Sequence, residues 1–394
     1  MKLERHRPDF ILFVVVILLA LFGLICIYSA SQMVALEESK MQSTDVYFFK
    51  QLKWVLLGLL VMLFTMNISF MRWHKLSGLM LLGSYVLLGL VFMPGIGVHV
   101  EGADRWVKFA GVQFQPSDLA MLAIIIHVAY LLSRKQDRLN DPKASYWPPI
   151  ILIAIGFILI ILEPDMDTAV TFALCPFVIM FAAGLPWKYI RNTIIAGLVG
   201  LIPLALMSYR GDRVATYLDP FSGDVTDSNL QIVQSMFAIA TGGWTGRGLG
   251  HSIEKFSYLP QPHTDFIFAI LSEEWGLIGG LVLLVLYGML IWRGIYIAMR
   301  VPNRFASLVA IGFTTLIGFA VFLNIGSVSG LLPVIGVPLP FISYGGTSLL
   351  VKMFSMGILL NISRYTVQAP VKEDTPRTQA DSNVTPLRTT RFDA

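Results

Sequence analysis

Charge is scarce in this sequence. Of its 394 residues only 14% are Asp, Glu, Lys or Arg, against 55% hydrophobic, whereas about a quarter of the residues in a soluble globular domain are charged. That balance excludes a soluble enzyme. No basic cluster accompanies the net charge of +4, so a nucleic-acid-binding surface is excluded as well. Cysteine is scarcer still: the two present, Cys26 and Cys175, both fall in apolar runs. A thiol there packs as a small hydrophobe, so neither a disulfide framework nor a cysteine metal site is expected. A phosphate-binding loop is also missing. The stretch 241-TGGWTGRGLG-250 is rich in glycine, but it lacks the Gly-Lys-Ser/Thr ending and follows no strand pattern, so it reads as flexible loop. No internal repeat announces the inverted halves of a transporter.

What the sequence has in abundance is long apolar runs. A bilayer core about 30 Å thick needs about 20 apolar residues per helix. Ten windows supply them, at 9–30, 52–68, 76–93, 117–133, 148–163, 167–184, 191–208, 265–290, 305–327 and 342–361. The expected fold class is therefore an all-α polytopic membrane protein. The first window follows Lys2, Arg5 and Arg7, exceeds a signal-peptide core and ends without a small-residue cleavage pattern, which reads as an uncleaved signal anchor. With the N-terminus in the cytoplasm, 19 Lys and Arg lie inside, nine lie outside, and Lys352 falls within the tenth span. This obeys the positive-inside rule and puts both termini in the cytoplasm. Residues 1–8 then form a cytoplasmic N-terminus, 9–364 the membrane domain and 365–394 a polar, disordered tail. Two outer loops are long, 94–116 and 209–264, the second joining the seventh and eighth spans. Long loops of this kind usually carry function.

Ionisable groups at membrane depth are costly, so those near span ends are functional candidates. They gather on the outer side, and each also has a plain local explanation. The segment 104–118 reads as a short hairpin followed by a helix that Pro116 and Ser117 open, with Asp118 in its first turn. In 162-LEPDMD-167, Pro164 supplies the break and Asp167 the next cap. Its three carboxylates can also meet a cation, although no metal motif is matched. Arg210 and Arg213 suit either a bidentate phosphate clamp or lipid headgroups. Asp265 follows 260-PQPHT-264, where His263 or Thr264 can cap a helix whose positive end favours an acid. Counted at about 100° per residue from Asp265, Glu273 lies about 80° off its face, and Glu274 lies opposite and roughly 12–14 Å deeper. These two acids are expected to serve structure through polar partners inside the bundle.

Taken in order, DRWVKFAGVQFQPSD, YRGDRVATYLDP, QSMFAIATGGWTGRGLG, YLPQPHTDFIFAILSEEWG and NIGSVSGLLPVIGVPLPFISYGGTSL closely resemble the SEDS family (shape, elongation, division and sporulation), which includes FtsW, RodA and SpoVE. The resemblance runs from about residue 9 to 364. It implies a SEDS-type bundle in the bacterial inner membrane that acts as a peptidoglycan glycosyltransferase and polymerises lipid II. The implied partners are a class B penicillin-binding protein transpeptidase and other division or elongation proteins. Asp265, in HTDF, falls on the family's essential aspartate and is implied as the general base of a single inverting displacement. The implied substrate contacts are Arg105, Trp106, Gln115, Ser117 and Asp118 in the first motif and Asp165 in the short turn. Arg210 and Arg213 in the long loop, His263 and Thr264 beside Asp265, and Ser343, Gly345 and Gly346 in SYGG complete them. The paired arginines would meet the leaving diphosphate, with a divalent cation (Mg or Mn) as an aid. Glu273, Glu274 and Lys352 take supporting roles. The segments PLPFISYGGTSL and NISRY look closer to FtsW and SpoVE than to RodA.

The chain also departs from the family pattern. QPSDLAM carries Asp118 at the family's Glu and Met121 at its Lys, which removes an i,i+3 ion pair. EPDMD replaces QPDLG, so only Pro164 and Asp165 carry over, and 261-QP-262 replaces the Glu before the HTDF histidine. Lys352, about two turns into the tenth span, reads either as a substitute cation approaching Asp118 or Asp265 from another helix, or as a lysine snorkelling to the membrane surface. Two rival functions share the substrate: a lipid II flippase or transporter, and a non-catalytic scaffold for the transpeptidase. A transporter needs polar groups on both sides of a midplane site. The crowding of polar groups at one end favours chemistry there.

Overall fold

A computed structural model describes residues 5–38, 44–93, 97–100, 103–109, 112–205, 216–220, 227–256, 259 and 262–367. Arg210, Arg213 and nearly all of the expected tail lie outside the described residues. The elements in order are α1 (Phe10–Ala30), α2 (Gln32–Glu38), α3 (Val46–Asn67), α4 (Phe70–Leu90), β1 (Gly97–Val100), β2 (Ala103–Phe109) and β3 (Val112–Phe114). There follow α5 (Pro116–Ser133), α6 (Pro142–Ser145), α7 (Trp147–Leu162), α8 (Met166–Ala182), α9 (Trp187–Ala205), α10 (Asp227–Gly242), α11 (Ile267–Arg300), α12 (Arg304–Val328) and α13 (Gly346–Ser363).

Each of the ten expected windows holds one helix, and among the described residues seven spans are long and apolar enough to cross a membrane by length and composition. The fold is an all-α polytopic membrane bundle with one small sheet. α8 is apolar but shorter. α4 and α9 carry basic residues near their starts, Arg72 and Lys75 in one and Lys188 and Arg191 in the other. Two boundaries extend well beyond their windows. α3 begins at Val46 instead of 52, and α11 runs to Arg300 instead of 290. An apolar window stops at the first polar residues, whereas helical hydrogen bonding continues through them. The extension of α3 carries Gln51, 1% exposed, whose amide reaches the backbone of Ser343 and Gly345. α13 packs along α3, and α5, α12 and α13 are the most enclosed helices of the bundle.

The described parts of the two long loops carry regular structure. Within 94–116 the expected hairpin gains a third strand, giving an antiparallel β1-β2-β3 sheet with Val98 opposite Trp106 and Val107 opposite Phe114. α5 starts at Pro116, with Gln115 at the cap and no side-chain cap bond. Proline's fixed φ opens the helix, and Asp118 falls in its first turn as expected, with Ser117 beside it. Within 209–264 lies α10, which Ser235 ties to Val328 O at 3.0 Å.

The glycine run after α10 is not a flexible loop either. α11 is broken at Gly276, which has φ of 63°, and the break exposes peptide groups that must be satisfied. Leu277 N and Ile278 N donate to Gly243 O and Trp244 O at 2.9 and 3.2 Å, while Arg247 N and Gly248 N donate to Glu273 O and Glu274 O at 2.9 and 3.0 Å. The two backbones touch: a Cβ on Gly246 would lie 2.1 Å from Glu274 O, and one on Gly276 2.4 Å from Gly246 N. Only glycine allows that approach.

Glu273 and Glu274 hold the same segment by their side chains. Helical phase counted from Asp265 does not apply, because α11 begins at Ile267 and Asp265 lies in the preceding turn. Glu273 accepts from Ser252 Oγ and, at 3.0 Å, from Ile253 N, with Arg247 at 3.6 Å. Glu274 pairs with Lys255 at 3.1 Å, both side chains 2% exposed or less, and accepts from Ser29 Oγ of α1 at 2.6 Å. The expected polar partners are thus supplied by the long loop and by the first helix.

Candidate active site

At the sheet end of the bundle, the start of α5, the α7–α8 turn, the turn before α11 and the start of α13 converge around a cavity of about 360 Å³. Its polar lining draws on Arg105 and Trp106 of β2, on Gln115, Ser117 and Asp118, on Asp165, and on Thr264, Asp265, Gly345 and Lys352. Polar groups concentrated in an otherwise apolar bundle mark it as the functional site.

One wall is built on the α7–α8 turn. The chain reverses early enough that Asp165, not Asp167, becomes the cap of α8, accepting from Thr168 N at 3.2 Å and Thr168 Oγ1 at 2.8 Å. Gln115 Nε2 donates to the same carboxylate at 3.0 Å. Burial pushes the Asp165 carboxyl above its ordinary range, against the opposing pull of Arg105 and of the Thr168 hydrogen bonds. Arg105 spends Nε and Nη2 on the carbonyls of Glu163 and Pro164, at 3.2 and 2.6 Å, and so fastens the sheet to the turn. Asp167, released from capping, accepts from Gly336 N at 3.2 Å.

The facing wall carries Asp265. The helix that follows is capped at Phe266 without a side-chain bond, so neither His263 nor Thr264 caps it and Asp265 is not there to do so. Its backbone is clamped instead. Asn324 Nδ2, near the C-terminal end of the apolar α12, donates to Asp265 O at 2.7 Å and to Val337 O at 2.8 Å. Ser343 Oγ donates to Thr264 O at 2.6 Å and Tyr344 N to His263 O at 2.9 Å. The His263 ring packs between Tyr47 and Tyr344, with centroids at 4.7 and 5.6 Å. The Asp265 carboxylate faces Gly336, where a Cβ would lie 3.4 Å from Asp265 Oδ2 and 3.7 Å from Asp167 Oδ2. Glycine leaves the space between the two acids open.

Lys352 enters from α13. It is 9% exposed and donates to Ser348 Oγ at 2.7 Å, so it does not snorkel. Ser117 Oγ and Asp118 Oδ2 are buried beside the cavity with no hydrogen bond among the described residues.

The sequence-expected residues thus divide. Those named in the lining come together. His263 and Ser343 stand behind it as supports, and Gly346 packs on Trp54, whose ring a Cβ would meet at 2.4 Å. Glu273 and Glu274 serve the glycine-rich segment instead. Sequence reasoning passed over Asn324, Gly336 and Ser348. Asn324 had a usable signal, a lone amide within an apolar span, which has to be hydrogen-bonded; Gly336 had none. Replacing Asn324 with Ala is expected to slow turnover by about 10-fold to 100-fold, because displacing a reacting group by about 1 Å has costs of that order. Steady-state rates on the purified protein check it.

Comparisons with known proteins agree with this architecture. The sequence profile of the FtsW/RodA/SpoVE family, described as cell cycle protein, matches residues 9–368. Stage V sporulation protein E of Bacillus subtilis (strain 168) is 39% identical over 369 residues, covering 93% of this chain and 100% of that protein. The probable peptidoglycan glycosyltransferase FtsW of Geobacter sulfurreducens (strain DL-1 / KN400) is 39% identical over 372 residues, covering 93% and 98%. Among solved structures, a peptidoglycan synthase complex described as coordinating polymerization and crosslinking superposes with a TM-score of 0.74 at 28% identity, over 91% of this chain and 98% of that one. The rod shape determining protein RodA of Thermus thermophilus gives 0.66 at 27% identity, over 92% and 98%.

Proposed function

Because this chain belongs to the FtsW/RodA/SpoVE family, matched over residues 9–368, we propose that it is a peptidoglycan glycosyltransferase that polymerises lipid II by inverting transfer, with Asp265 as general base. The observation that carries the reading is a carboxylate on a clamped backbone facing a polar cavity of about 360 Å³. An α-linked donor that becomes a β-linked product calls for one displacement. The 4-hydroxyl of the acceptor sugar attacks from the face opposite the undecaprenyl diphosphate, and Asp265 takes its proton as the bond forms. The leaving diphosphate needs cationic stabilisation, for which Arg210 and Arg213 are the candidates. Among the described residues no three Asp, Glu, His or Cys side chains gather as a metal site.

The cavity opens on the extracytoplasmic side of the inner membrane in this reading. His6 N donates to Arg364 O at 2.8 Å and Asp9 N to Ser363 Oγ at 2.9 Å, so the start of α1 meets the end of α13 while the start of α13 lines the cavity. The positive-inside rule then supports cytoplasmic termini and an outer cavity. A class B penicillin-binding protein is the partner of choice, since newly made glycan must be crosslinked and a structural relative is described as coordinating both steps.

The test is polymerisation of purified lipid II by the reconstituted chain, with and without a class B penicillin-binding protein. Glycan strands are expected from the wild type and not from Asp265→Ala. Equal product from both removes Asp265 from the chemistry. No product from either, even with the partner, favours a scaffold or a transporter.

A further inference from the structure

We infer that Lys352 is the positioning cation of this site: a single ammonium, reaching in from α13, is shared by the carboxylates of Asp118 and Asp265 and keeps the reacting one charged and aimed at the acceptor. The inference rests on the reading of Asp265 as the base. Four acids line the cavity, Asp118, Asp165, Asp167 and Asp265, against two cations among the described residues, Arg105 and Lys352. Arg105 is occupied at the far wall, where its guanidinium binds the carbonyls of Glu163 and Pro164 and its charge falls on Asp165. Asp167 accepts from Gly336 N at 3.2 Å, and Lys352 lines the cavity together with the remaining two acids, Asp118 and Asp265, within reach of its charge.

Packing fixes the ammonium there. Ser348, one turn back on α13, accepts from Lys352 Nζ at 2.7 Å and turns the side chain to the cavity. Asp118 shares Ser348 with the ammonium, accepting from the hydroxyl that receives Lys352 Nζ, while its Oδ2 is buried without a hydrogen bond among the described residues and Asp165 adds a second negative charge nearby. Carboxylates crowded in one buried site do not all ionise unless a cation offsets them.

Nothing in the geometry requires this cation to come from α13. Met121, one turn after Asp118 on α5 and 5% exposed, lines the same cavity. A lysine there would reach the same acids. The site demands a charge at one place in space, and the sequence position that supplies it is exchangeable.

The test uses the full chain reconstituted with lipid II. Lys352→Met should lower kcat about tenfold while changing KM little, and should move the acid limb of the kcat/KM profile upward by about one pH unit. The sign follows from electrostatics: loss of a nearby cation makes a carboxylate easier to protonate, so activity is lost at a higher pH. Adding Met121→Lys to Lys352→Met should return the limb toward the wild-type position, which a merely structural lysine could not explain. A second readout needs no substrate. In detergent, the drop in unfolding temperature caused by Lys352→Met should largely vanish when Asp118 is already Asn. An unshifted acid limb, no rescue from position 121 and additive unfolding effects would together overturn the inference. A wild type that makes no polymer while Lys352 and Asp118 remain coupled would sink the glycosyltransferase reading and leave the charge pairing standing.

Discussion

Asp265→Asn should yield a folded protein that polymerises lipid II at least about 100-fold more slowly than wild type, since general-base catalysis contributes about 10²–10⁴-fold. The amide keeps the size and shape of the carboxylate, and the clamp acts on the backbone: Asn324 and Ser343 bind the carbonyls of Asp265 and Thr264. The substitution therefore removes proton acceptance while leaving the turn in place, and the variant should still unfold cooperatively in detergent. Asp265→Glu makes the complementary point. It keeps the charge but advances the carboxylate by one methylene toward Gly336, whose backbone already stands against the Asp265 carboxylate. A misplacement of about 1 Å costs up to about 100-fold, so Glu should rescue little. Single-turnover assays on both variants decide the matter, and an Asn variant within tenfold of wild type would be incompatible with a base at this position.

The largest effect on stability should come from the Lys255–Glu274 pair. Both side chains are 2% exposed or less, and removal of one partner from a buried pair leaves an uncompensated charge that costs about 3–5 kcal/mol. Lys255→Met strands Glu274 between Ser29 and Ser252, and Glu274→Leu strands the ammonium against Gly250 O. Either change should free the glycine-rich segment from the break in α11. The double variant Lys255→Met/Glu274→Leu should be more stable than either single one, because two well-packed apolar groups carry no desolvation penalty. Thermal unfolding in detergent measures all three. Additive losses in the double variant would show that the two side chains act independently.

Some of this protein could be read from its amino acids in order, because the deciding physics is local. Transfer of apolar residues into a bilayer depends on composition over about 20 positions, so each of the ten windows coincides with a helix, seven spans among the described residues being long and apolar enough to cross a membrane, with boundary errors such as the Val46–Gln51 stretch of α3. Five ordered motifs likewise pointed to the family, whose profile matches residues 9–368. Capping was misjudged wherever a neighbouring segment competed for the same group. Asp165 took the place expected of Asp167 because the chain had already turned, and Phe266 displaced His263 and Thr264. The glycine run looked flexible because nothing local says that a broken helix distant in sequence will hydrogen-bond to it.

What only the tertiary structure decided is which polar groups meet. Asn324 clamps Asp265 from α12, Gly336 leaves the space before its carboxylate, and Lys352 arrives from α13 beside an acid on α5. Those relations are set by how buried helices pack against one another. Packing is a collective property of surfaces, and no window of the sequence contains it.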